Sequence, residues 1–190
     1  MNELLAPASS GTQSDDFAIV LDAIDRLGTP ALSRMGETFL LLAQDQLDIA
    51  LPAVVDRIGR TPMSGAGNLA ADVICELLEY VPGGIARMDR ASTLKGLVSA
   101  VEQISQTACE RGCSAVRALA LWAAREPIPE AVPALAGLLS EAVSRDRPNP
   151  QLVRDAVAAL RSSRQDQLLE RIRERAAQLS AAHPVRQALG

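Results

Sequence analysis

The sequence is short of several residue types, and each shortage removes a class of function. Only 2% of its 190 residues are aromatic, namely Phe17, Phe39, Tyr80 and Trp122. That is too few rings for a base-stacking nucleic-acid surface or a sugar-binding platform. His183 is the only histidine, which excludes a histidine-rich metal cluster. Cysteine occurs at Cys75, Cys109 and Cys113, an odd and small number that suits a reducing compartment better than a disulfide framework. Lys95 is the only lysine among 19 basic residues, a compositional bias on which no site is built. The longest apolar run, Phe39 to Ala43, is far below the roughly 20 residues that span a bilayer. The first residues lack a basic stretch followed by an apolar core, so no secretory signal is expected and the expected location is cytoplasmic.

What remains is a globular composition, 48% hydrophobic and 22% charged, at a length that suits one domain. The formal net charge is −4, which disfavours a generally basic nucleic-acid binder. The charge is unevenly placed. Residues 1–50 carry eight acids and two bases, whereas residues 151–190 carry four acids and seven bases. An acidic front and a basic tail would orient a partner, or a second copy, along the chain.

Residues 1–14 are rich in Ser, Ala, Gly and Pro without periodicity and read as a flexible tail. Residues 15–190 read as a single all-helical domain. Phe17, Val20, Leu21, Ile24 and Leu27 recur every three or four positions and stop at Gly28. Similar apolar spacing predicts further short helices, the last two over 152–160 and 168–179. The stretch 61–67 is expected to be a loop, Gly112 a helix breaker, and Arg147-Pro148-Asn149-Pro150 a turn.

The segment Ile49-Ala50-Leu51-Pro52-Ala53-Val54-Val55-Asp56-Arg57-Ile58 superposes without gaps on Glu130-Ala131-Val132-Pro133-Ala134-Leu135-Ala136-Gly137-Leu138-Leu139, at an offset of 81. Val116-Arg117 and Val153-Arg154 form a second pair at an offset of 37. Two periods of about 40 residues suit two-helix units, and Thr93-Leu94 stands where the middle unit should begin. On these residues the sequence resembles HEAT-like or armadillo-like repeats, most clearly over 113–160. The 60–68 loop and Gly96 depart from the pattern. Pro52 and Pro133 are expected in the first turn of their helices, where a missing N–H matters little. The resemblance implies short antiparallel hairpins stacked as a right-handed α-solenoid that recognises macromolecules on a stacked-helix face. An irregular multi-helix bundle is the alternative.

No catalytic set stands out. Cys75, Cys109, Cys113 and His183 offer four zinc ligands on paper, but small buried cysteines and a solvated turn histidine account for them. The acid pairs Asp45/Asp48, Glu76/Glu79 and Glu126/Glu130 decorate helix faces and starts. Ser64-Gly65-Ala66-Gly67-Asn68 could cradle a phosphate on backbone N–H groups, but it lacks the lysine of a phosphate-binding loop. Arg154, Arg161, Arg164, Arg171 and Arg175 form a basic tail suited to an acidic partner protein, with interleaved acids offering local ion pairs. Trp122 is expected in the core and Tyr80 on the surface as a partner anchor. The reading is a non-enzymatic adaptor that binds another protein, with no cofactor or metal. An enzyme or ligand-binding domain built on carboxylates and arginines is the alternative, and a bacterial delivered protein, or its immunity or chaperone partner, a further one.

Overall fold

The computed structural model describes the backbone of residues 10–61, 63–107 and 113–190, and their side chains except those of 10–14, 29–34, 106 and 107. Ten α-helices carry the chain: α1 Ser10–Leu27, α2 Thr29–Asp45, α3 Leu47–Arg60, α4 Gly65–Tyr80, α5 Arg90–Thr107, α6 Cys113–Ala123, α7 Val132–Ser144, α8 Pro150–Ser162, α9 Asp166–Ala176 and α10 Pro184–Leu189. Two 3-10 turns, Gly84–Arg87 and Pro129–Ala131, precede α5 and α7. Among the described residues there is no strand, and no helix is long and apolar enough to cross a membrane.

The helices expected from apolar spacing correspond in order to α1–α9. Helix α1 begins at Ser10, ahead of the expected start at Asp15, and residues 1–9 of the expected tail lie outside the described residues. Cys109 and Gly112 lie outside them as well.

Local chemistry sets the helix starts. Gly28 joins α1 to α2 at φ 71°, a left-handed conformation that glycine adopts without a Cβ penalty. Asn149 Oδ1 accepts from the N–H groups of Gln151 and Leu152, and Pro150 follows at the first helical position, where it has no bond to lose. The stretch expected as a loop through residue 67 is shorter, because Ser64 caps α4 two residues earlier: its Oγ accepts from Gly67 N at 3.0 Å.

His183 is not a solvated turn residue. It is buried and caps α10, a helix that the sequence reading lacked. Its Nδ1 accepts from Val185 N at 3.3 Å, and its Nε2 lies 2.9 Å from Arg145 O at the end of α7. Accepting at Nδ1 places the neutral ring's proton on Nε2, where it donates to that carbonyl.

Every helix from α1 to α8 packs against the next but one, and consecutive helices pack except across the α4–α5 and α6–α7 links; the contacts of α6 with α4 and α8 are the most extensive. Small residues permit that closeness, since Ala115, Ala118 and Ala123 of α6 are all buried. The apolar core runs continuously from Phe17 to Leu189.

Gly96, a departure from the repeat pattern, has a packing reason. A Cβ there would stand 2.9 Å from Ile58 Cγ2 and 3.2 Å from Gly59 N, so α5 meets the backbone of α3 at this point. Pro52 lies inside α3, not in its first turn, because α3 begins as early as Leu47. Pro133, by contrast, is the second residue of α7 and sits in its first turn, as expected. There the missing N–H leaves the turn to tighten, and Val132 N bonds Pro129 O in a 3-10 step before α7 proper.

Candidate docking surface

The polar pairs between helices are mainly structural. Arg57 Nη1 donates to Asp25 Oδ2 at 3.0 Å, and its Nη2 bonds Asp22 as well. Asp25 Oδ1 accepts from Ala66 N at 2.9 Å. The N–H groups of the glycine-rich stretch are therefore taken by Asp25 and Ser64, and a carboxylate already stands where a phosphate would bind. Each expected acid pair has at least one member engaged, and only Asp45 among them has no bond to a described residue. Asp48 pairs with Arg87, while Glu126 and Glu130 both grip Arg90, at 3.0 and 2.8 Å. The Trp122 N–H holds the Glu126 carboxyl below the usual range, and Arg90 does the same for Glu130. Neither is tuned as a general acid.

Two acids are shifted the other way. Burial raises Asp72 on α4 and Asp155 on α8, which flank Arg117 of α6. Burial, with Asp72 second, also pushes the Cys75 thiol up to about 12, and that thiol donates to Ser114 O at 3.4 Å. Such a thiol is not a nucleophile. The largest groove, about 650 Å³, runs elsewhere, between α3 and α5. Its acids Asp48 and Asp56 pair with Arg87 and Arg60. The acids made more basic and the largest groove thus lie on different helices. Among the described residues no group of three His, Cys, Asp or Glu is placed to hold a metal.

For Asp72 the raised pKa means that the folded state disfavours its charged form. The penalty is full above the folded pKa and fades as pH falls through it toward the ordinary value of 3.8. Asp72→Asn is therefore expected to raise stability at neutral pH, by up to about 1 kcal/mol. The gain should vanish in acid, as read by urea melts at several pH values. A variant less stable at neutral pH would contradict it.

The predicted basic tail divides into two groups. Arg161 Nη2 donates to Ala188 O at 3.2 Å, so it supports the end of α10. Arg173, adjacent in the same tail, donates to Leu189 O through Nε at 3.0 Å, and Arg186 to Leu179 O at 2.6 Å. Cations at exposed helix carbonyls offset the macrodipole. Arg154 bonds Gln151 Oε1 at 2.9 Å on α8. Arg171 and Arg175 are exposed on α9, and Arg164 holds φ 56° in the α8–α9 turn, the one non-glycine residue in the left-handed region among the described residues. The structure does not bring these arginines together with Tyr80, which ends α4.

Exposed apolar side chains are concentrated at the other end. Ile19 is 60% exposed, Leu27 65%, Leu41 59%, Leu42 48% and Tyr80 67%. The first four belong to α1 and α2. Between these helices runs a groove of about 330 Å³, floored by Phe17, Val20, Met35, Phe39 and Leu42 and touched by Asp16. The Phe17 and Phe39 rings meet edge to face at 5.7 Å and set its depth.

Gln44 Nε2 donates to Glu76 Oε2 at 3.1 Å, which puts the α2 face that bears Leu41 beside α4. Tyr80 lies one turn beyond Glu76, and its hydroxyl donates to Glu79 Oε1 at 3.2 Å. Tyr80 thus stands one turn past the Gln44–Glu76 contact, beyond the end of α2, while Leu41 stands one turn before it. The sequence reading named Tyr80 and missed Leu41 and Leu42. The available signal was that Leu40, Leu41 and Leu42 form one run on a helix, and such a run cannot all face one core stripe. No family model, curated protein or solved structure matches this chain.

Proposed function

We propose that the chain is a protein-binding adaptor built from HEAT-like hairpins stacked as a right-handed α-solenoid, with its docking surface on α1, α2 and the end of α4. Neighbouring-but-one packing favours this stack over a bundle about one axis. The two superposed segments have similar surroundings: Ala50 and Ala131, Ala53 and Ala134, Val54 and Leu135, and Ile58 and Leu139 are all buried. The side-chain bonds between hairpins also keep the step. Arg57 to Asp25 spans 32 residues, Arg117 to Glu79 spans 38, Arg87 to Asp48 spans 39 and Arg145 to Ser105 O spans 40.

The observation that carries the function is the concentration of exposed Ile19, Leu27, Leu41 and Leu42 on the first two helices. A terminal unit of a stack normally presents a polar outer face. At the C-terminal end α9 does so, with exposed Glu170, Arg171, Glu174 and Arg175. At the α1–α2 end four large apolar side chains stand exposed among the charges, as in a surface that is covered in use. An acidic partner on α9 would meet charge without an apolar anchor, so the docking surface is assigned to α1 and α2.

The test is a photoreactive residue placed singly at Leu41, Leu42, Tyr80, Arg171 or Arg175 in the source cells. Adducts of defined mass are expected from the first three positions. Adducts from Arg171 and Arg175 alone would move the surface to α9, and none from any position of a folded protein would overturn the adaptor reading.

A further inference from the structure

We infer that the α1–α2 groove takes a basic amphipathic helix from a partner protein, an inference that rests on the adaptor reading. Two antiparallel helices form the groove's walls, and its floor is a line of apolar side chains, so an incoming helix would seat residues at i, i+3/i+4 and i+7.

Its rim selects the sign of the polar face. Asp15 and Asp16 are exposed in the second turn of α1, and Asp16 lines the groove. Because the hairpin is antiparallel, Asp45 at the end of α2 stands at the same mouth, and Glu37 is exposed farther along α2. Among the described residues none of these four carboxylates has a cation partner, unlike Asp22, Asp25 and Asp48, which are held by Arg57 and Arg87. Beyond α2 the acids continue with Glu76 and Glu79 beside Tyr80. Among the described side chains the hairpin's own cation is Arg26, which donates to Asp22 O toward the Gly28 end of α1, and on α6 Arg117 stands 2.6 Å from Glu79.

An apolar slot lined by the unpaired Asp16, with Asp15, Glu37 and Asp45 exposed on the same two helices, recruits a Lys/Arg-rich amphipathic helix by long-range attraction and holds it by burial. The same acids work against two other occupants. A second copy would bring its own acidic α1–α2 face or the polar α9 face, and an anionic lipid surface would be repelled.

The experiment titrates the full chain into fluorescein-labelled synthetic peptides of about 18 residues, one Leu/Lys and one Leu/Glu with the same apolar face, and reads anisotropy. The Leu/Lys peptide is expected to bind at least about tenfold more tightly. Its advantage should shrink as salt rises from roughly 0.05 to 0.5 M.

Leu42→Ser with Val20→Ser should weaken binding about tenfold while the helical signal is retained. Asp16→Lys with Asp45→Lys should reverse the preference between peptides. Arg171→Ala with Arg175→Ala should change neither. Equal binding of the two peptides, no binding, or binding indifferent to the Leu42 and Val20 changes would overturn the inference. A gain of about tenfold on deleting residues 1–9 would assign the groove to the chain's own first residues, and a concentration-dependent dimer lost with Leu42→Ser would assign it to a second copy. Crosslinks at Leu41 and Leu42 without Leu/Lys binding would leave the adaptor standing and refute only the helix class.

Discussion

Trp122→Ala is expected to lower the unfolding free energy by about 3–5 kcal/mol, the range for emptying a large core site. Trp122 is fully buried on α6, the helix in closest contact with its neighbours, and the site has little freedom to collapse. The ring also carries a polar link. Its Nε1 donates to Glu126 Oε1 at 2.7 Å, Glu126 accepts from Arg90 Nε at 3.0 Å, and Arg90 reaches Glu130 at 2.8 Å. Loss of the indole therefore loosens the turn that joins α6 to α7 as well as the core. Trp122→Phe separates the two contributions. It keeps much of the volume and removes the donor, and should cost about 1–2 kcal/mol. Urea melts followed by circular dichroism provide the measurement, since the only tryptophan is removed. A loss below about 1 kcal/mol for alanine would mean that the site repacks.

The second large effect is expected at Asp25. Its carboxylate accepts from Arg57 on one side and from the Ala66 N–H of α4 on the other, so one side chain of α1 ties down two later helices. Asp25 and Arg57 are 21% and 13% exposed, and removal of Asp25 strands a mostly buried guanidinium with only the more exposed Asp22. It also leaves the start of α4 without an acceptor. Asp25→Ala should therefore cost about 2–4 kcal/mol. Asp25→Asn keeps an acceptor for Ala66 and loses the charge, so it should fall between wild type and alanine. Little response to salt is expected, because the pair is shielded from bulk ions. If Asn matched Ala, the carboxylate charge and not the cap would be the dominant part.

The helices were legible because their signals are local. Apolar residues at three- and four-residue spacing, Gly28 as a stop and Pro150 as a start act within one turn, and α1 to α9 follow from them. The short α10 was not legible. It hangs on His183 capping Val185 and reaching Arg145, a bond across 38 residues that no local pattern announces. Pro52 was misplaced for a related reason: the start of α3 is set by Leu47, which is buried against other helices, and not by a strong capping residue.

The exposed apolar side chains were half legible. Tyr80 stood out as an aromatic at a helix end. Leu41 and Leu42 resembled core, since nothing in a sequence tells a covered leucine from an exposed one until the neighbouring helices are placed. Of the five tail arginines, Arg161 donates to the Ala188 carbonyl of α10 and Arg154 to Gln151, while Arg164, Arg171 and Arg175 are exposed, a division set by contacts across the fold that charge spacing does not announce.

The close approach at Gly96 has a mechanical meaning. The first four helices are joined to the remainder mainly where α3 meets α5 and where α4 meets α6. At the former, Gly96 faces the Ile58 side chain and the Gly59 N–H of α3, with no room for a Cβ. One added methyl group at Gly96 would therefore have to push α5 off α3, and the strain would fall on one of the two seams that hold the leading helices, with their apolar groove, to the rest of the chain.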